Sequence, residues 1–161
     1  MIAQSVLNFG TIYKPAVPVR GQPYWKLISA EGPEAWGGRH SVYVDVLDEV
    51  GLRLIGIPVL FYWNDGDERK VTEAKTGEPF AIDFPMYAAG NAYGIKIVDG
   101  LPSDQFFGMG LVANQPHMVF KLVFQRTVAR GTDLPQPPTI PPVVGGDKYK
   151  LYRNDVMVWE S

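Results

Sequence analysis

The sequence has no cysteine and only two histidines among its 161 residues. The absence of cysteine excludes disulfide scaffolds, thiol catalysis and metal sites built on thiolates. Lysine and arginine number 15 against 17 aspartates and glutamates, so no surplus of positive charge exists to attract nucleic acid or an anionic membrane. No apolar run reaches the ~18–20 residues of a membrane span, and the first ten residues lack the pattern of a signal peptide. We therefore expect no cofactor, no nucleic-acid partner and no membrane partner.

Glycine, proline and aromatic residues are abundant, with 17 Gly, 14 Pro, 8 Tyr, 8 Phe and 4 Trp. This composition favours turns and short strands built from bulky β-forming residues over long helices. Hydrophobic residues make up 46% of the chain and charged residues 20%, enough apolar side chains for a core. The length predicts one domain.

Alternation of apolar and polar residues predicts most of the strands. Between Arg39 and Asp48, the side chains of His40, Val42, Val44 and Val46 fall on one face. The turn Asn64-Asp65-Gly66-Asp67 predicts a hairpin, because Asp-Gly accommodates positive φ. Further strands are predicted at Ile57–Trp63, Glu68–Ala74, Phe80–Phe84, Ala92–Val98 and His117–Thr127. No helical stripe of ten residues is present. The fold predicted is an all-β sandwich of Ig-like or jelly-roll type.

The chain divides into four predicted segments. Residues 1–23 contain three prolines and are expected to form an extended N-terminal arm without a packed helix. Residues 24–130 form the β-sandwich. Residues 131–147 hold five prolines and predict a stiff polyproline-II linker of roughly 50 Å. Residues 148–161 predict a two-stranded β-hairpin, which is marginal alone in water and should therefore dock on another surface.

This linker and hairpin supply the predicted partner-binding residues. They are Pro137, Pro138, Pro141, Tyr149, Leu151, Tyr152, Val156, Val158 and Trp159. Apolar and aromatic side chains at the end of a stiff tether favour contact with neighbouring subunits, because tethering raises their effective concentration at a repeating surface.

Groups able to carry catalysis are sparse. Carboxylates cluster at Asp45 and Asp48 and in the turn at 65–68, where solvated charges are the simpler interpretation. The turn resembles a calcium loop only faintly, because its ligands are not regularly spaced. His40 and His117 each open a strand and could approach one another, but two ligands without a third make a poor zinc site. No Gly-x-Ser-x-Gly elbow or phosphate loop exists. The chain is predicted not to be an enzyme.

Aromatic side chains offer the remaining binding signal. A stacking platform for a sugar ring could draw on Tyr24, Trp25, Trp36, Tyr62, Trp63, Tyr87, Tyr93 and Trp159. Trp36 is the best candidate for exposure and for glycan binding, because loop residues flank it on both sides. The alternative is that these residues belong to the core or to an interface.

Several turns and strand ends carry a resemblance to a known module. The segments are 38–49 (GRHSVYVDVLDE), 56–59 (GIPV), 84–90 (FPMYAAG), 100–104 (GLPSD) and 120–127 (FKLVFQRT). They resemble the β-sandwich domain appended to bacteriophage lysozyme-like proteins and to some secreted bacterial glycoside hydrolases. The middle section is also similar to transthyretin-like and other Ig-like repeats. The resemblance covers about residues 24–127 and implies a scaffold rather than a reaction.

The chain differs from that family in having no hydrolase domain attached, while its arm and tether resemble those of capsid decoration proteins. The function predicted is therefore that of a bacteriophage virion protein, a decoration or cementing subunit located in the virion and assembled in the host cytoplasm. It is expected to bind neighbouring subunits through its N-terminal arm and its C-terminal hairpin, and its expected partners are the major capsid protein or copies of itself, in an oligomer or lattice. A carbohydrate-binding module and a small tail or fibre adaptor remain alternatives.

Overall fold

The computed structural model of the chain describes residues 1–75 and 77–130. The predicted linker 131–147 and hairpin 148–161 lie outside the described residues. The described residues form one short helix and nine strands. Their bounds are α1 Gln4–Asn8, β1 Ile12–Lys14, β2 Pro23–Glu34, β3 Ser41–Leu47, β4 Pro58–Trp63, β5 Gly66–Val71, β6 Ile82–Pro85, β7 Tyr93–Ile97, β8 Gln105–Met109 and β9 Val119–Val128. No helix among them is long and apolar enough to cross a membrane.

The strands form two sheets that enclose the core. One sheet has the order β1-β8-β7-β4-β5 and the other the order β2-β9-β3-β6. All neighbouring strands pair antiparallel except β3 and β9, which run parallel with Val42 opposite Phe120. This architecture confirms the predicted all-β sandwich.

The core is filled from both sheets by side chains at alternate strand positions. Val42, Val44 and Val46 of β3 are fully buried, as are Phe61 of β4 and Phe106 of β8. Phe61 stacks on Phe84 with ring centroids 4.4 Å apart. Burial of each large apolar side chain contributes about 1.5–3 kcal/mol. The predicted inward face of β3 is confirmed at its three valines.

The hairpin predicted at residues 64–67 is confirmed, but the reason given for its glycine is wrong. Trp63 pairs with Gly66 across a two-residue turn, and Gly66 is not among the glycines with positive φ. A Cβ atom at Gly66 would lie 3.0 Å from the indole ring of Trp63. Glycine is therefore required here because the tryptophan ring lies against the turn.

The N-terminal segment is part of the sandwich, so the expectation of an arm without a packed helix is wrong. Helix α1 buries Val6, and β1 pairs with β8 at the edge of the five-stranded sheet. The backbone of Ala30 exchanges hydrogen bonds with Met1 (3.0 Å) and Ala3 (2.8 Å), which covers part of the edge of β2. Main-chain groups that are paired within the chain are not free for strand addition by a partner.

Asp104, just before β8, ties this segment to both sheets. Its side chain is 1% exposed. One carboxyl oxygen accepts hydrogen bonds from the Tyr13 hydroxyl (2.6 Å) and the Leu27 N–H (2.9 Å). The other oxygen accepts from the Ala16 N–H at 2.8 Å. Three donors from β1, β2 and the connection between them therefore converge on one buried side chain.

Stability should fall at alkaline pH partly through Tyr13. Burial raises the pKa of Tyr13 above its usual value, and its hydrogen bond to the Asp104 carboxylate adds to the increase. When the folded state raises the pKa of a tyrosine, the neutral phenol contributes its full stabilisation below the pKa of the unfolded chain, about 10. That stabilisation is lost as the pH rises above this value. We expect Tyr13→Phe to lose less stability than the wild type between pH 8 and 10.5, measured by urea midpoints. Equal losses in both proteins would contradict this assignment.

Candidate functional site: an aromatic cleft

Trp36, the predicted glycan-binding residue, is half-buried on the outer face of the four-stranded sheet. The Arg39 guanidinium lies 4.2 Å and the Lys121 ammonium 4.4 Å from its ring centroid. The Tyr43 ring packs edge-on with centroids 4.8 Å apart. These groups occupy the space that a sugar ring would need for stacking. Tyr43 lies on the predicted outer face of β3. Its side chain is nevertheless buried, because Trp36 covers it.

The predicted partner-binding residues from Pro137 to Trp159 all lie outside the described residues. Their role therefore stays a prediction from the sequence.

In the described part of the chain, neither histidine belongs to a group of potential metal ligands. His40 Nδ1 is 2.9 Å from the Met86 carbonyl oxygen, which favours the structural role considered from the sequence, and His117 is exposed. Within residues 1–75 and 77–130, no three His, Asp or Glu side chains come together as metal ligands.

Two of the carboxylates considered for catalysis, Asp45 and Asp48, hold the end of β3 and the turn after it. Asp45 forms an ion pair with Arg53 at 2.7 Å. Asp48 accepts hydrogen bonds from the N–H groups of Val50 and Leu52, each at 2.9 Å. The Leu52 hydrogen bond is the main cause that holds the pKa of Asp48 below its usual value, with those from Val50 and Gly51 adding to it. These contacts close the turn after β3 and do not place two carboxylates across a cleft.

Aromatic residues instead line a cleft at one end of the sandwich. It has a volume of about 500 Å³, within the roughly 300–1,000 Å³ typical of small-molecule sites. The cleft opens between the β4–β5 turn and the β6–β7 connection. Its lining consists of Tyr62, Trp63, Asn64, Asp65, Ala88, Asn91, Ala92, Tyr93 and Phe107.

Tyr62 and Phe107 form a platform on the outer face of the five-stranded sheet. Their rings are nearly parallel, at 11°, with centroids 6.3 Å apart. A Cβ atom at Gly94, the β7 residue between them, would lie 2.4 Å from the Tyr62 ring. The Tyr62 hydroxyl donates to Gln105 Oε1 at 3.1 Å, and burial raises the pKa of Tyr62. The phenol is thus held flat and neutral over a glycine.

Trp63 and Tyr93 form the inner wall of the cleft. Their rings meet edge to face with centroids 6.1 Å apart. The Tyr93 hydroxyl accepts hydrogen bonds from the N–H groups of Tyr87 (3.0 Å) and Ala88 (2.9 Å). Tyr93 therefore fixes the connection after β6, and Gly66 leaves room for the tryptophan.

Polar groups stand at the rim. Asn91 Nδ2 donates to the carbonyl oxygens of Phe9 (3.0 Å) and Gly108 (2.8 Å), and these two bonds fix the orientation of the amide. No group in the described part of the chain donates a hydrogen bond to its Oδ1, which can therefore accept one from a ligand. Asn64 and Asp65 are exposed at the tip of the turn. An apolar cleft with a few polar groups at its edge is typical of binding sites for small molecules.

Gly94 should be sensitive to the smallest substitution. We expect Gly94→Ala to displace the Tyr62 ring, because the new methyl group and the ring cannot occupy the same space. Overpacking of this kind costs about 1–3 kcal/mol of stability. Urea denaturation measures the cost, and the fluorescence of neighbouring Trp63 reports the displacement. Gly90→Ala is a comparison, since its Cβ would meet no atom within 4 Å although its φ of +85° adds strain. Unchanged fluorescence in Gly94→Ala would contradict the predicted displacement.

The sequence predicts part of this cleft. Of the eight aromatic residues that it offers as a sugar platform, Tyr62, Trp63 and Tyr93 line the cleft, and Tyr87 lies beside it at the same end of the sandwich. Tyr24 and Trp25 are buried, and Trp159 lies outside the described residues. Phe107 and Asn91 were missed. An alternation signal across the Phe106-Phe107 pair could have identified Phe107, but Asn91 has no such signal.

Fold and cleft together define a β-sandwich with an aromatic cleft, in which no three His, Asp or Glu side chains of the described residues form a metal-binding cluster. Comparison with known proteins adds no closer identity: no protein-family model, no curated protein and no solved structure matches the chain.

Proposed function

We propose that the chain is a non-catalytic carbohydrate-binding module and that the aromatic cleft is its binding site. The observation that carries this proposal is the pair of Tyr62 and Phe107, two nearly parallel rings on an exposed sheet face. Phe107 remains 40% exposed beside a neutral phenol. The apolar C–H face of a pyranose stacks on such rings, and the Asn91, Asn64 and Asp65 side chains supply hydrogen-bonding groups for its hydroxyls.

Electrostatics favour the same class of ligand. Among the described residues, one carboxylate, Asp65, lines the cleft, and no Lys, Arg or His does. A phosphorylated or carboxylated ligand would enter without a cationic partner. A neutral ligand recognised by stacking and hydrogen bonds suits this lining.

A glycan array probed with the full chain tests the proposal. We expect saturable binding to neutral glycans by the wild type and by Trp36→Ala, because Trp36 lies outside the cleft. Loss of binding in Trp36→Ala, with its fold intact, would place the site at the tryptophan instead. Absence of binding to every glycan would overturn the proposal.

A second candidate is the virion subunit, a decoration protein that contacts the major capsid protein or further copies of itself. It is supported by the segment between β3 and β4, where three large apolar side chains are exposed: Val50 (78%), Leu52 (65%) and Ile55 (52%). Clustered apolar exposure is typical of protein–protein contacts. Because the N-terminal segment packs on its own sandwich, this proposal assigns the partner contacts to residues 50–55 and to residues 131–161.

Co-sedimentation of the protein with bacteriophage particles, purified from infected host cells, tests this second candidate. We expect deletion of 131–161 to abolish particle binding and Leu52→Ser to weaken it. Unchanged occupancy for both variants would overturn it.

A further inference from the structure

A second depression adjoins the aromatic cleft and shares two of its walls. It has a volume of about 320 Å³ and is lined by Trp63, Glu68, Phe84, Pro85, Tyr87 and Tyr93. Trp63 and Tyr93 also line the first cleft. The two depressions are therefore neighbours, and the Trp63 side chain forms a wall of each.

We propose that the two depressions are successive subsites for one neutral oligosaccharide, with one sugar unit on each side of Trp63. This inference rests on the proposed carbohydrate-binding function. The first subsite provides the Tyr62 and Phe107 platform, and the second provides the ring of Tyr87. A chain of at least two sugar units is then the ligand, not a single monosaccharide.

Tyr87 has the geometry of the second platform. Its side chain is 78% exposed, yet its backbone is fixed because its N–H donates to the Tyr93 hydroxyl at 3.0 Å. Its ring also lies against the His40 ring, with centroids 5.5 Å apart. A large ring that its backbone and one neighbour already hold in place loses little conformational entropy when a ligand binds.

The same hydrogen-bonded residue joins both subsites. The Tyr93 hydroxyl accepts from Tyr87 and Ala88 together, and Ala88 lines the first cleft while Tyr87 lines the second. The spacing of the two subsites is therefore set by one buried tyrosine and the two-residue segment bound to it.

Charge at both subsites selects against acidic sugars. In the part of the chain that the structure describes, the two linings contain the carboxylates of Asp65 and Glu68 and no other ionisable group apart from the tyrosines. Glu68 forms an ion pair with Lys70 at 3.8 Å, so Asp65 carries the larger part of the uncompensated negative charge. Uronic and sialic acids would meet like charge, and a neutral chain would not. Binding of a neutral chain should also be insensitive to salt.

Calorimetric titration of the full chain with glucose and N-acetylglucosamine oligomers of one to four units tests the inference. We expect affinity for the better series to rise at least tenfold from one unit to two. We expect Tyr87→Ala to remove this gain while leaving the affinity for the single unit unchanged. Val19→Ala is the control, because Val19 is also well exposed, at 68%, and lies in the connection between β1 and β2, outside both linings.

The outcomes separate the two proposals. Equal affinity for one and two units, or an equal loss for both in Tyr87→Ala, would overturn the second subsite and leave the carbohydrate site in place. Binding of acidic oligomers in preference to neutral ones would overturn the proposed selectivity. Failure of both series, together with an array on which no glycan binds, would overturn the carbohydrate-binding function itself.

Discussion

Replacing Tyr62 with alanine is expected to weaken binding of a neutral oligosaccharide about 30-fold. Truncation of a central aromatic anchor in a binding site costs about 2 kcal/mol or more, and each 1.4 kcal/mol is a factor of ten. Tyr62 meets this description because its ring lies flat over Gly94 beside Phe107, in the wall of the larger depression. Calorimetric titration of wild type and variant with the same oligomer measures the change.

Two further variants separate stacking from other effects. Tyr62→Phe keeps the ring and loses the hydroxyl that donates to Gln105. We expect an affinity within about threefold of the wild type, because the lost hydrogen bond lies within the protein and its contribution of about 0.5–1.5 kcal/mol is to folding stability. Trp36→Ala removes a larger ring from the other sheet, where it packs on Tyr43, and should leave affinity unchanged. Similar losses in Tyr62→Ala and Trp36→Ala would contradict the assignment of binding to the platform. Circular dichroism of both variants then separates a loss of fold from a site at Trp36.

The strands that alternation predicts well are those whose faces differ clearly in burial. Val42, Val44 and Val46 are buried on one face of β3, and Phe120, Leu122 and Phe124 follow the same rule in β9. Strands β2 and β8 were missed because their pairing is irregular. The register of β2 shifts twice, after Leu27 and after Glu31, and β8 pairs with β7 across a shift next to Gly94. A bulge of this kind moves later side chains to the other face and removes the period of two.

The site was harder to predict than the fold because its parts come from distant turns. Trp36 has loop residues on both sides in the sequence, yet Arg39 and Lys121 lie over its ring. Exposure of an aromatic residue depends on which cations the sheet places beside it, and that is not visible locally. Conversely, the rings of Tyr62 and Trp63 remain accessible because glycines lie beneath them, at Gly94 and Gly66. Those glycines have no positive φ, so turn rules alone do not explain them.

The prediction of an extended N-terminal arm is wrong for a similar reason. Three prolines between residues 15 and 23 indicate an extended chain, and the chain after Lys14 is indeed without regular structure until β2 begins. What the composition does not show is a buried acceptor on another strand. Asp104 lies 88 residues from Ala16 in the sequence and accepts its N–H at 2.8 Å. Partner contacts that draw residues 13–16 away from the sandwich would therefore require this network to break.

Replacing Asp104 with alanine is expected to lower the free energy of unfolding by about 3–5 kcal/mol. The substitution leaves the Tyr13 hydroxyl and the N–H groups of Ala16 and Leu27 without their acceptor. Each buried donor that loses its partner costs about 1–3 kcal/mol, and removal of one member of a buried charged network costs about 3–5 kcal/mol. Urea denaturation followed by tryptophan fluorescence measures the loss, and Trp25 is a fitting reporter because its carbonyl accepts the Asp104 N–H at 2.9 Å.

Graded variants show whether the carboxyl group itself is responsible. Tyr13→Phe removes one of the three donors and should cost about 1–2 kcal/mol, since hydrogen bonds to charged groups contribute about 1.5–3 kcal/mol. Asp67→Ala makes the same replacement at an exposed position on β5 and should change stability by less than about 0.5 kcal/mol. If Asp104→Ala were no more destabilising than Asp67→Ala, the three hydrogen bonds would not hold the N-terminal segment to the sandwich. The pairing of β1 with β8 and the backbone hydrogen bonds of Ala30 would then hold it instead.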